Sequence, residues 1–289
     1  MLYDLFIAPF AEFEFMRRAL AGAFALALGA GPIGVFLMLR RMSLVGDAMA
    51  HAILPGAAIG FLIAGLNLFA VAAGGLIAGF VIALAAGLIT RATALKEDAS
   101  LAAFFLISLA VGVTIVSMRG SNIDLLRFLF GSVLALDDAT LLLIAANATI
   151  SQFGLALIFR PLVLECVDPV FLRSVSGAGA WAHIAFLALL VINLVSGFHA
   201  LGTLLAVGIM MLPAIAARFW ARDITTMITI AVATGIVSGY AGLLLSYHTS
   251  VPSGPGIILV AGMFYGISVL FGRVDGVVRQ LFPGRHLEA

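Results

Sequence analysis

The sequence predicts an all-α protein that crosses a membrane about eight or nine times. Of its 289 residues 63% are hydrophobic and only 10% are charged, whereas a soluble domain carries about 25% charged residues. Mean hydropathy is +1.22. The apolar residues fall into runs of roughly 20, the length a helix needs to cross the bilayer hydrocarbon, and the charges collect between the runs.

Residues 1–16 interleave Leu2, Phe6, Phe10, Phe13 and Phe15 with Asp4, Glu12 and Glu14. That pattern reads as an amphipathic segment lying at the interface, with a frayed terminus as the alternative. No basic region precedes an apolar core here, so no cleavable signal is expected. The first span runs from about Ala19 to Leu39 and ends at Arg40 and Arg41. A second segment reaches about Ala64, and the turn Gly65-Leu66-Asn67 leads into a third span ending near Thr90. Arg91, Lys96, Glu97 and Asp98 make a polar loop, and the span from Leu101 to Met118 is followed by the turn 119–124.

Residues 125–138 suggest a short interfacial helix and turn, and Ala139 to Ile158 forms another span. Phe159 to Ala182 is the longest polar interruption, broken by Pro161 and Pro169, with a short helix expected from Asp168 to Ser176. Further spans are expected near 183–198, 201–220, 224–246 and 255–272, before a basic tail. The link at Gly197 to Gly202 is so short that its two spans should be antiparallel neighbours, and Pro213 should bend its helix. The whole of 1–289 reads as a single transmembrane domain without a soluble domain or flexible linker.

Basic residues set the orientation. Placing 40–41, 91–98, 160–173, 218–222 and 273–285 on one side collects eleven of the fifteen there, which makes that side the cytoplasm and puts the N-terminus outside. Arg17 and Arg18 run against this assignment.

Composition also removes function classes. Fourteen of the fifteen basic residues are arginine. The one lysine, Lys96, follows no glycine-rich turn, so the chain has no nucleotide-binding P-loop. Any ATP used in transport must be hydrolysed by another chain. The single cysteine, Cys166, excludes intramolecular disulfides and CxxC metal pairs. A net charge of +1 gives no sign of nucleic acid. No Ser-His-Asp set, HExxH motif or paired catalytic carboxylates can be drawn, so enzyme activity is not expected.

The stretch that carries chemistry is Arg40 to Gly56. Asp47 is the only acidic residue well inside an apolar run. His51, four residues on, shares its helix face, so an oxygen and a nitrogen can meet at one point. Ionisable groups within a span are expensive and are functional candidates. The pair has the donor types of a divalent-metal half-site. A second copy would complete the four ligands of tetrahedral zinc, and added waters would suit manganese. The alternatives are an Asp–His ion pair that locks packing, or a helix cap. Pro55 leaves the His51 carbonyl without its helical partner and predicts a kink. Asp47 lies about 9 Å along the axis from Arg41, in the inner half of the membrane.

Two further sets are candidates. The 160–179 loop, with Glu165, Asp168, Arg173 and Gly177, is the expected site for a cytoplasmic partner, against the plainer reading of a solvated loop. His199 and His248 fall at predicted outer ends, where they could guide an incoming cation; His183 and His286 are read as uninvolved.

The stretch Arg40-Arg41-Met42-Ser43-Leu44-Val45-Gly46-Asp47-Ala48-Met49-Ala50-His51-Ala52-Ile53-Leu54-Pro55-Gly56 closely resembles the signature of the permease subunits of zinc/manganese ABC importers. Leu129 to Leu134, Gly202 to Ala217 and Pro252 to Pro255 resemble the family's later motifs, in the same order. The resemblance implies a permease of the type II importer kind, with Asp47 and His51 on the metal path. Its implied partners are a second permease copy, two cytoplasmic ATP-binding-cassette subunits, and an extracytoplasmic protein that delivers the metal. It also implies a bacterial inner membrane, zinc or manganese as cargo, and no permanently bound cofactor. Asp168 to Gly177 resembles the loop that meets the ATPase, although Arg173 and Ser174 stand where the family has alanine. A siderophore or haem permease is the alternative within the class, and an ion-coupled secondary transporter is the alternative outside it. Two ligands suit zinc, manganese and ferrous iron alike.

Overall fold

The computed structural model describes residues 2–43, 45–65, 67–93, 97–118 and 133–281, and among these there is no strand. α1 (Leu2–Phe6), α2 (Ala8–Glu12) and α3 (Glu14–Leu39) open the chain. α4 (Val45–Ala52) and α5 (Leu54–Ala64) form one broken rod, followed by α6 (Leu68–Ala92) and α7 (Glu97–Met118). A 3-10 turn at Val133–Ala135 precedes α8 (Asp138–Val167), α9 (Pro169–Val175) and α10 (Ala178–Leu201). α11 (Thr203–Arg218), α12 (Ile224–Thr249), α13 (Ser253–Phe271) and α14 (Val277–Leu281) complete the described chain.

Among the described residues seven stretches are long and apolar enough to cross a membrane: α3, the α4–α5 rod, and the apolar parts of α6, α8, α10, α12 and α13. Two shorter apolar helices, Ala99–Gly112 and Thr203–Arg218, occupy the remaining places where the sequence predicts spans. The expected turn at 119–124 and most of the segment 125–138 lie outside the described residues, as do Lys96 and His286.

α3 is the hub. It packs against α8, α10, α11 and α12, and 72% of its apolar window is buried, against 22% for α8 and 28% for α13. α10, 61% buried, links the α3 half to α4 and α6. The peripheral helices turn Leu157, Ile63 and Phe153 outward at 84%, 80% and 70% exposure, which suits lipid rather than water.

Small residues set the spacing, as expected where lipid supplies no hydrophobic drive between helices. A Cβ on Gly34 of α3 would lie 1.9 Å from the Met210 carbonyl of α11. Gly56 and Gly60 of α5 face Gly74 and Ala70 of α6, and a Cβ on Gly56 would stand 2.1 Å from the Gly74 oxygen. Gly202 alone separates α10 from α11, at φ 86 and ψ 159, a region only glycine adopts readily. The two helices are packed neighbours, as the short link predicts.

Some boundaries differ from expectation. α3 begins at Glu14 rather than near Ala19. α8 runs through Arg160 and Pro161 to Val167, so the polar interruption starts at Asp168. The helix continues because Leu155 and Leu162, 4% and 0% exposed, stay packed on the bundle; a proline removes one backbone bond and bends the helix without having to end it.

At one end of the bundle α2 lies against α3, and Tyr240 Oη on α12 donates to the Phe6 carbonyl at 2.8 Å. Arg18 pairs with Glu14 at 2.8 Å and with Asp138 at 3.0 Å, so its charge is offset where it ran against the orientation rule. The other end gathers Arg40, Arg218, Arg222 and Arg273, with Val274 N–H donating to the Phe219 carbonyl at 2.7 Å.

Candidate functional site

α4 is two-faced. Val45, Met49 and Ile53 are wholly buried, and Gly46 lets α4 approach α11, where a Cβ would meet Met210 Cε at 2.7 Å. Asp47 and His51 lie on the opposite face. Their side chains are 63% and 22% exposed, and Asp47 Oδ1 stands 3.8 Å from His51 Nε2. That is too long for a hydrogen bond. It is within reach of one bound cation, because ligand bonds of about 2.0–2.2 Å put two ligands up to about 4 Å apart. His51 Nδ1 is buried without a partner among the described residues, and its ring lies 5.5 Å from that of Phe105 on α7.

The helix is interrupted just before Pro55, where the sequence predicts a kink. α4 ends at Ala52, and α5 starts at Leu54 with Pro55 in its first turn. Ser108 on α7 donates its hydroxyl to the Ala52 carbonyl at 2.8 Å, giving a backbone oxygen at the break a side-chain partner. Gly112, one turn on, lets α7 approach Pro55, where a Cβ would sit at 3.4 Å. The break is thus braced from behind, while the Asp47–His51 face is open. Among the described residues no cluster of three or more histidine, cysteine or acidic side chains could hold a metal ion.

The other candidates are not gathered at this face. Asp168 caps α9, accepting from Phe171 N–H at 2.8 Å, and Gly177 caps α10. Leu172, 5% exposed, anchors α9, while Val170, Phe171 and nearby Trp181 stand outward at 76%, 52% and 76%. Arg173 lies within α9, its side chain outside the described set. Glu165 turns inward, 3.4 Å from Arg40 Nη2. His248 donates from Nε2 to the Leu5 carbonyl at 3.0 Å, which ties the expected cation guide to the N-terminal segment. His199 lies near the end of α10, with its side chain outside the description.

Sequence reasoning missed the role of Arg40 and His183, whose side chains hydrogen-bond to each other. They are 143 residues apart, and no local spacing signals the contact.

A bundle of apolar helices, a broken second span bearing an exposed Asp–His pair, and a capped helix at the basic end define a multi-pass membrane protein. The chain belongs to the ABC 3 transport family, whose model matches residues 12–272. It is similar to the manganese transport system membrane protein MntC of Halalkalibacterium halodurans, 30% identical over 95% of this chain and 93% of that protein. It is also similar to the manganese import system permease protein ScaB of Streptococcus parasanguinis, 31% identical over 91% of this chain and 92% of that protein. A probable iron transport system membrane protein of Haemophilus influenzae is 29% identical over 94% of this chain and 99% of that one. Among solved structures, PsaBC from Streptococcus pneumoniae in complex with Fab superposes with a TM-score of 0.83 at 26% identity, covering 97% of this chain and 100% of that chain.

Proposed function

We propose that this chain is the permease of an ATP-driven importer of divalent transition metal in a bacterial cytoplasmic membrane, with manganese the foremost cargo. The observation that carries the reading is the Asp47–His51 pair, 3.8 Å apart on the open face of a kinked span. A carboxylate left facing lipid inside a span costs several kcal/mol by most estimates. Its exposure therefore marks a wet path or a partner surface. A second copy bringing its own pair to the same axis supplies an N2O2 set; zinc and ferrous iron use the same donors. The manganese names of two relatives support ranking that ion first, beside an iron-named relative of similar identity.

In this mechanism an extracytoplasmic binding protein docks at the outer corner 247–256 and at residues 119–124, which the sequence predicts to form an outer turn, and releases the ion. The ion passes Asp47 and His51, and Phe105 limits access from α7. The ATPase is a separate chain, received at the α9 corner where Val170, Phe171 and Trp181 stand exposed. The test is uptake of radiolabelled manganese and zinc by cells carrying wild type, Asp47→Ala or His51→Ala, at equal membrane levels. Loss in both variants supports the path, and the preferred isotope names the cargo. Undiminished uptake makes the pair a packing feature.

A further inference from the structure

Arg40 caps the inner end of α3, and its side chain, only 11% exposed, reaches between the inner ends of α8 and α10. Nη2 serves two acceptors at once. It stands 3.4 Å from Glu165 Oε1 and donates to His183 Nδ1. A guanidinium has no acceptor, so Nδ1 of His183 accepts and carries no proton. The Arg40 Cζ lies 5.4 Å from the centroid of the Phe186 ring, one turn along α10. Arg40 Nη1 and Glu165 Oε2 are buried with no partner among the described residues.

This ion pair is half made. A complete arginine–carboxylate fork uses two nitrogens and two oxygens at about 2.7–2.9 Å. Here one nitrogen is shared, and the second nitrogen and second oxygen are left over. A small displacement of α8 against α3 would close the fork and release His183. That displacement would give the same three side chains a second discrete arrangement, which is what energetic coupling through a packed bundle requires.

Position gives the cluster its meaning. Arg40 leads through the turn at Arg41, φ 60, into α4, which carries Asp47 and His51. Glu165 stands on the last turn of α8, next to Asp168, which caps α9. We propose that Arg40, Glu165 and His183 form a relay between the α9 corner and the metal-bearing helix. Arg40 is its positioning residue, exchanging Glu165 and His183 as α8 moves. The proposal rests on the reading of the chain as an ATP-driven permease.

The test uses the assembled complex, with its ATPase and binding protein, in liposomes, and reads manganese accumulated per ATP hydrolysed. His183→Phe removes the acceptor and leaves the charge pair, so Arg40 stays on Glu165. Manganese per ATP should fall about tenfold while assembly and hydrolysis stay within about twofold of wild type. His183→Asn, which keeps an acceptor near the Nδ1 position, should stay close to wild type. Glu165→Gln, scored per assembled complex, should also lower the ratio. Equal ratios for His183→Phe and wild type would overturn the relay, as would parallel loss of assembly, hydrolysis and transport in both His183 variants. Absence in the wild type of hydrolysis dependent on manganese, zinc or ferrous iron would instead overturn the importer reading, and the relay with it.

Discussion

Two of the polar sites among the described residues of this apolar bundle are built in opposite ways. At the α4–α5 break, Asp47 is 63% exposed on its side chain and lies beyond hydrogen-bond distance of His51. At the inner ends of α3, α8 and α10, Arg40 and Glu165 are 11% and 18% exposed and wrapped by His183 and Phe186. The first leaves its donors facing outward, available to something that arrives. The second is enclosed among three helices, with one Arg40 nitrogen shared between Glu165 and His183. Polar groups in a membrane span persist only where a partner or water offsets their cost. An open pair therefore points to cargo, and a closed one to the mechanics of the helices.

That contrast is sharpest in the response to truncation. Arg40→Ala leaves the Glu165 carboxylate buried and unpaired, and should cost about 3–5 kcal/mol. Arg40→Met with Glu165→Leu should recover most of that loss, because it removes both charges. Thermal unfolding of the detergent-solubilised protein measures both; a single variant as stable as wild type would break the distinction. Asp47→Ala should do the reverse. Metal affinity should drop by at least about 100-fold, the upper range for losing even a supporting group of a metal site, with little change in thermal midpoint.

Smaller effects sharpen the packing side. Gly56→Ala forces a methyl toward the Gly74 carbonyl, where a Cβ would stand at 2.1 Å. It should cost about 1–3 kcal/mol and shift the kinked rod, whereas Gly177→Ala, with open space around it, should be nearly silent. The smallest effect is expected at Asp223, the N-cap of α12. The hydrogen bonds from Thr226 hold its carboxyl below the usual carboxylate value. A depressed folded value means that its stabilising contribution is present above the unfolded value, about 3.9, and is lost as pH falls through the folded value. Wild type and Asp223→Asn should therefore differ slightly in thermal midpoint at pH 6 and converge under strong acid.

How much of this was legible beforehand depended on the range of each interaction. The Asp47–His51 face, the Pro55 kink, the short helix after Asp168 and the antiparallel pair joined at Gly202 all follow from residues within a few positions of one another. The long reach of α8 past Pro161 was not legible, because it depends on Leu162 finding a buried place against other helices. The Arg40–Glu165–His183 contact was equally hidden. Each residue sits near the end of an apolar run, as most of the charged residues do, and only the assembled bundle brings them together. His248 shows the converse: its position suggested a cation guide, and the fold ties its ring to the Leu5 carbonyl.

We propose that each chain contributes half of a metal site. Titration of the purified protein with manganese, with free ion followed by electron paramagnetic resonance, tests this. One ion per two chains is expected, with binding lost in Asp47→Ala and in His51→Ala. Binding of unchanged strength and stoichiometry in both variants would contradict it.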